Sequence, residues 1–375
     1  MGTTWVLTSA GLVTAAGDTP ADLLAALSAG EPLARPSRIQ AGEPGSPAAR
    51  TPTDLSLRSA PIGGFDPKRY MDRKGLKDLS RTSQLACAAA SRVAPAISRL
   101  PPDEVGVVLG SAWGSLQTVV QFERAACTDG PRFVDPFLFA ETVANVPAGQ
   151  ISIFFGWSAF NMTVSSGAVS GLSAILRGMD LLFEGRAELA VVGGADELNL
   201  PLLRTLVCEG RPDLVGGEAA CLLALESSDS AAARGAAPLG RIDGAIEWFT
   251  ADSGHLHAAV GKTAIFLRSL LDQCRVESRD IDLLVLSGGG PGDTGDWPEL
   301  RAAETVFSGA ALPAVIAPER VVGQTWGASG PLGVVAALES LRSRDKRRAL
   351  VLNRSETGHL AGIVVSRSGH RQNGR

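Results

Sequence analysis

Short apolar runs alternate with stretches in which apolar residues return every three or four positions. The runs at 4–8 (TWVLT), 105–110 (VGVVLG), 189–193 (LAVVG), 219–225, 282–286 (DLLVL), 313–317 and 349–353 predict β-strands. The periodic stretches at 20–29, 81–98, 114–126, 169–184, 257–276, 297–307 and 328–343 predict α-helices. Strands and helices alternate along the chain, the rhythm of an α/β protein with mainly parallel central strands. Residues 31–66, rich in Pro, Gly, Ser and Ala, read as an irregular excursion. A softer boundary falls at 227–237. Strand–helix–strand units ending in glycine-rich turns occur on both sides of it. The pattern therefore predicts two similar halves, 1–230 and 231–368, and a disordered tail, 369–375.

The 375 residues suffice for a large core, and 45% hydrophobic with 20% charged residues is ordinary for a soluble globular protein. A net charge of -4 without a basic run argues against nucleic acid as a partner. The basic cluster RSRDKRR at 342–348 reads as the cap of the preceding helix. Cys87, Cys127, Cys208, Cys221 and Cys274 show no CxxC spacing and read as reduced, mostly buried thiols. The first residues lack the pattern of a signal peptide, and no apolar run has the length of a membrane span, so a cytoplasmic protein without a membrane partner is expected.

Four stretches stand out: GLVTAAGDTPADLLAALSAG (11–30), MDRKGLKDLSRTSQLACAAA (71–90), the segment 110–200 with NMTVSSGAVSG and AVVGGADELN, and the C-terminal 281–331 with 349–365. Together they resemble the β-ketoacyl synthase family of the thiolase fold, over nearly the whole chain. The resemblance implies a five-layer αβαβα body of two pseudo-duplicated halves, and no cofactor. In active members a cysteine in a Thr-Ala-Cys-x-Ser-Gly turn opens a helix. The helix dipole and backbone N–H groups there lower the thiol pKa and stabilise an oxyanion. Two histidines assist decarboxylation of malonyl carrier protein, and the carbanion attacks the acyl-enzyme.

Laid on that pattern, Ala168 stands at the cysteine position, Gly289 at the first histidine and Gln324 at the second. A supporting lysine corresponds to Glu319, and the Gly-Phe-Gly-Gly turn to ETGH, 356–359. Alanine offers no nucleophile. Ser165, Ser166 and Ser170 are poor substitutes, since serines at a helix start are usually caps. The resemblance sets Trp113 at the acyl-pocket gate, with Leu116, Val119 and Val120 on the following helix as tunnel lining or plain core. The loop 131–139, with Phe133, Phe137 and Leu138, corresponds to one that crosses the dimer.

These features imply a chain length factor: a non-catalytic subunit that pairs with an active ketosynthase in a type II polyketide synthase and shapes the acyl tunnel. The carrier protein bearing the growing chain is its second partner. Alanine where glutamine is usual, and a clipped region at 207–220, lean towards a reducing, polyene-type system. Two other readings stand beside it. One is a stand-alone pseudo-ketosynthase that binds an acyl carrier protein or lipid. The other is a dinucleotide-binding enzyme, because GPGDTG at 290–295 matches GxGxxG and Glu319 follows the next strand. Against it, Asp293 and Asp296 would repel a pyrophosphate and Pro291 lacks a donor. His255 and His257 form an HxH pair without a third ligand, and His359 reads as structural.

Overall fold

The computed structural model describes residues 3–40, 54–209, 211, 214–251, 256–288, 297–309, 311–342 and 345–368. Its strands are β1 (Trp5–Thr14), β2 (Arg35–Gln40), β3 (Asp54–Ala60), β4 (Val105–Gly110), β5 (Asn161–Val164), β6 (Leu189–Asp196), β7 (Gly216–Gly217), β8 (Ala219–Ser227), β9 (Gly240–Phe249), β10 (Leu283–Leu286), β11 (Ala314–Ile316), β12 (Arg348–Arg354) and β13 (His359–Arg367). Its helices are α1 (Pro20–Ala29), α2 (Arg81–Ile97), α3 (Leu116–Thr128), α4 (Pro136–Ala140), α5 (Val146–Phe155), α6 (Ser170–Phe183), α7 (Leu200–Cys208), α8 (Ser228–Ala233), α9 (Leu256–Cys274), α10 (Pro298–Val306), α11 (Glu319–Val322) and α12 (Ser329–Ser340).

The same five-strand order occurs twice. The first half runs β5-β4-β6-β8-β1 and the second β11-β10-β12-β13-β9, with β1 and β9 paired antiparallel where the halves meet. This is the expected thiolase-type, five-layer fold. Alternate residues of each strand enter different cores, as the two-residue period of a strand requires. Leu223 and Val192 pack with Leu172 and Ile175 of α6 and Leu332 and Val335 of α12, between the two halves of the sheet. Their neighbours Leu222 and Val191 pack with Leu85 and Val93 of α2. In the second half Leu350 and Leu352 pack with Phe266 and Leu270 of α9.

One expectation is corrected. In the ten-stranded sheet the strands are parallel only within β5-β4-β6 and β11-β10-β12, and the central pairs are antiparallel. Continuous apolar runs report burial on both faces, and antiparallel strands between two helix layers satisfy that equally. The excursion at 31–66 also carries order: β2 and β3 pair antiparallel, and β3 adds β7 in parallel. The basic cluster divides. Arg342 pairs with Glu339 at the end of α12, whereas Arg348 opens β12 and pairs with Asp243 at 2.8 Å. The tail 369–375 lies outside the described residues.

Candidate functional site

β5 delivers the chain into the turn 165–169, from which α6 rises. Gly167 has φ +63°, and a Cβ there would stand 2.7 Å from the Ser355 hydroxyl, so glycine is required. Ala168 is buried, and its carbonyl accepts a hydrogen bond from Asn353 Nδ2 at 3.1 Å. The nearest hydroxyl on the helix is engaged: Ser170 Oγ accepts from the Ser166 N–H at 2.8 Å and donates to the Gly167 carbonyl at 2.6 Å. The first turn of α6 packs directly on the turn 326–328, where a Cβ on Gly171 would lie 2.1 Å from the Gly327 carbonyl.

Gln324 sits between α11 and that turn. Its main chain is held by Val215 and Gly217, both at 2.8 Å. Its side chain lines a cavity of about 180 Å3 with Arg211, Glu299, Glu319, Arg354 and Glu356. Gly289 lies outside the described residues, as do 290–296 and His255. Its neighbour Gly288 lines the same cavity. The cavity is ionic. Arg211 pairs with Glu356, and Arg354 Nε with Glu299 Oε1 at 3.0 Å. Burial pushes the Glu299 carboxyl up to about 7, against the pull of Arg354. Glu319 is also raised by burial. It accepts the Gly288 N–H at 2.6 Å and the Ser329 hydroxyl at 2.5 Å. Glu319 thus opens α11 with its carboxylate committed inside the protein, not free for a ribose.

Trp113 belongs to the loop 111–115, which a single carboxylate organises. Asp196, at the end of β6, accepts from Ser111 Oγ (2.7 Å), Ala112 N (2.9 Å), Trp113 N (3.0 Å) and Gly327 N (2.8 Å). Full burial pushes it up to about 6, while these donors hold it down. Trp113 is 40% exposed, and its ring meets Trp326 edge-on, with centroids 6.4 Å apart and planes at 86°. Trp326, at φ +44°, is buried among Leu57, Leu202, Leu203 and Leu206, and Leu116 packs on this cluster. Val119 and Val120 are half-buried. In the loop 131–139, Asp135 caps α4 through the Phe137 N–H at 2.9 Å. That turn leaves Phe133 and Phe137 76% and 84% exposed and Leu138 half-buried.

Asp196 and Trp326 were not singled out in the sequence. A charged residue closing an apolar strand, as in AVVGGAD, is the signal that marks the first; nothing local marks the second. Cys87, Cys221 and Cys274 are buried, with thiols raised by desolvation, whereas Cys127 and Cys208 are exposed. His257 is exposed, and His359 opens β13 beside Thr357 and the Phe249 ring. Among the described residues no group of three or more His, Cys, Asp or Glu could hold a metal ion, and no helix is long and apolar enough to cross a membrane.

The family model of the β-ketoacyl synthase N-terminal domain matches residues 6–211, more than half of the chain. A 3-oxoacyl-[acyl-carrier-protein] synthase 2 from Staphylococcus aureus is 25% identical over 320 residues, covering 77% of each sequence. The solved ishigamide ketosynthase/chain length factor superposes with a TM-score of 0.84 at 22% identity, over 98% of this chain and 100% of that one. A type II PKS acyl-carrier protein in complex with its ketosynthase bound to the hexaketide gives a TM-score of 0.75 at 19% identity, with the same coverage. By this family match, and with the twice-built fold that carries the Ala168 turn, the chain belongs to the β-ketoacyl synthase family.

Proposed function

We propose that this chain is the non-catalytic chain length factor subunit of a type II polyketide synthase, paired with an active ketosynthase and facing an acyl carrier protein. Ala168 carries the reading. It stands at the start of a 14-residue helix, where a thiolate and an oxyanion are best stabilised, and its methyl group cannot attack a thioester. Ser170 is tied into the turn, its hydroxyl bonded to the Ser166 N–H and the Gly167 carbonyl and not to an imidazole. At the second vestigial position, the Gln324 amide cannot take up a proton at neutral pH as an imidazole does. The third, Gly289, has no side chain.

The likeness to a ketosynthase/chain length factor supports pairing with a ketosynthase, and the likeness to a ketosynthase–carrier protein complex supports the second partner. The alanine and the clipped 207–220 region favour a reducing, polyene-type product. The test uses the purified chain, labelled acyl carrier protein and malonyl carrier protein. No acyl adduct and no decarboxylation are expected. A covalent acyl group located by mass spectrometry on any residue of this chain overturns the reading.

A further inference from the structure

A cavity of about 520 Å3 lies at the opposite end of α6 from the Ala168 turn. The 14 residues of α6 rise about 1.5 Å each, so about 20 Å of helix separates the two. Its walls come from Thr4 and Trp5 at the start of β1, from Phe183 and Gly185 at the end of α6, from Glu188 before β6, and from Asp229 in the first turn of α8. Hydrogen bonds fix this lining. The Ser228 N–H donates to the Thr4 carbonyl at 2.8 Å, and the Gly185 N–H closes α6 on the Leu182 carbonyl at 3.0 Å. Gly185 turns at φ +70°, and a Cβ there would meet nothing within 4 Å, so the end of the helix stands open.

The lining specifies a ligand class. Glu188 and Asp229 form no ion pair among the described residues, and Asp229 takes only a long contact from the Ser228 hydroxyl at 3.5 Å. No basic side chain lines the walls, and Arg186, although it follows Gly185 in sequence, is not among them. The last turn of α6 carries no basic residue either, so the negative end of its dipole is uncompensated where it meets the cavity. Phe183 is exposed and Trp5 half-buried, and aromatic faces attract a cation within about 6 Å. An anion would be repelled, and a neutral ligand would leave both carboxylates uncompensated. Among the described residues no group of three or more ligands could hold a metal ion. A guanidinium answers every demand: it stacks on a ring, bonds a carboxylate at two points and, with its stem, fills a space too large for a bare ion.

We propose that this cavity binds an organic cation, a guanidinium group on an apolar stem, held between Phe183, Glu188 and Asp229. The proposal goes beyond the chain length factor reading and does not depend on it. The guanidinium has two sources, a separate molecule or the chain's own 369–375 segment, which contains Arg371 and Arg375. Trp5 pairs with Ile242 and Ile242 with Val365, so the end of β13 lies two strands, about 10 Å, from the cavity. Eight residues of chain reach at most about 26 Å, which covers that gap. The probe is Nα-acetyl-arginine methylamide, with its citrulline analogue as the uncharged isostere. Both are titrated by saturation-transfer NMR against the full chain and against a chain ending at Ser368. The arginine probe should bind about three- to thirtyfold tighter than the citrulline probe, the usual worth of one cation–π contact and one exposed ion pair.

The Glu188→Gln/Asp229→Asn pair should reduce the arginine probe to the affinity of the citrulline probe, and Phe183→Ala should weaken it about threefold. All three side chains are exposed, so circular dichroism should not change. Tighter binding to the shortened chain supports the cavity and names the 369–375 segment as its occupant. Equal binding to both chains supports the cavity and assigns the cation to another molecule. Equal affinity for the two probes, binding unaffected by the variants, or no binding to either chain overturns the inference and leaves the chain length factor reading standing.

Discussion

Trp113 is fixed at two points, its N–H by the Asp196 carboxylate and its ring by the edge of Trp326. If the chain passes this residue, Trp113→Ala in the reconstituted heterodimer should lengthen the products. One extension step adds about two methylene equivalents, about 1.6 kcal/mol at ~0.8 per CH2, so neighbouring lengths should be discriminated about tenfold. Unchanged lengths, read by mass spectrometry, make Trp113 ordinary packing. Leu116→Trp is a poorer probe than its sequence position suggests, because Leu116 already packs on a filled cluster and overpacking costs about 1–3 kcal/mol.

Glu299 gives a residue-scale pH test. Its folded carboxyl is raised from 4.5 to about 7, so the folded protein binds this proton more tightly than the unfolded chain. The sign follows: this group's contribution is full below about pH 4.5 and is lost as pH rises through about 7, by at most about 3 kcal/mol at 1.36 kcal/mol per pKa unit. Glu299→Gln keeps an acceptor for Arg354 and should remove that decline. The measurement is the difference between wild-type and variant melting temperatures from pH 4.5 to 7.5; a constant difference would refute the assignment.

At the scale of elements, α1 was legible to the residue because it carries its own punctuation. Thr19 accepts the Asp22 N–H at 3.1 Å, Asp22 returns the bond to the Thr19 N–H, and Pro20 and Gly30 bracket the helix. Thr19→Ala should cost about 1 kcal/mol in denaturant unfolding with an unchanged slope. β9 and β13 escaped because neither offers a clean period: β9 is partly exposed with an irregular pattern, and β13 breaks its apolar run at Gly362. α6 was read as a helix, but its approach to the turn 326–328 was not. Gly171→Ala should force the two apart, since its Cβ would overlap the Gly327 carbonyl. We expect poor expression or loss of cooperative melting, and a normally stable variant would show that the contact yields.

For the whole molecule, the exposed Phe133, Phe137 and Phe139 within one short loop call for a covering surface. A permanent interface in this class of assembly buries above roughly 2,000 Å2. If the proposed pairing holds, the chain should co-purify one-to-one with a co-expressed ketosynthase. Phe137→Asp should break that association while circular dichroism stays unchanged, because the ring is 84% exposed before pairing. Co-purification of the variant at wild-type yield would remove the loop from the interface.

The sequence by itself determined the layering, most strands of the ten-stranded sheet and most helices, and the identity of the residue at the start of α6. Apolar periodicity and glycine-rich turns are local signals, and the alanine at 168 is visible in one letter. Only the tertiary structure decided the antiparallel centre of the sheet, since burial on both faces looks the same in either direction. It alone brought Asp196 to both tryptophan turns and closed Arg354 on Glu299 and Arg211 on Glu356, across 55 and 145 residues of chain. Partners so far apart leave no periodic trace, because their spacing is set by how helices and strands stack and not by any repeat along the chain.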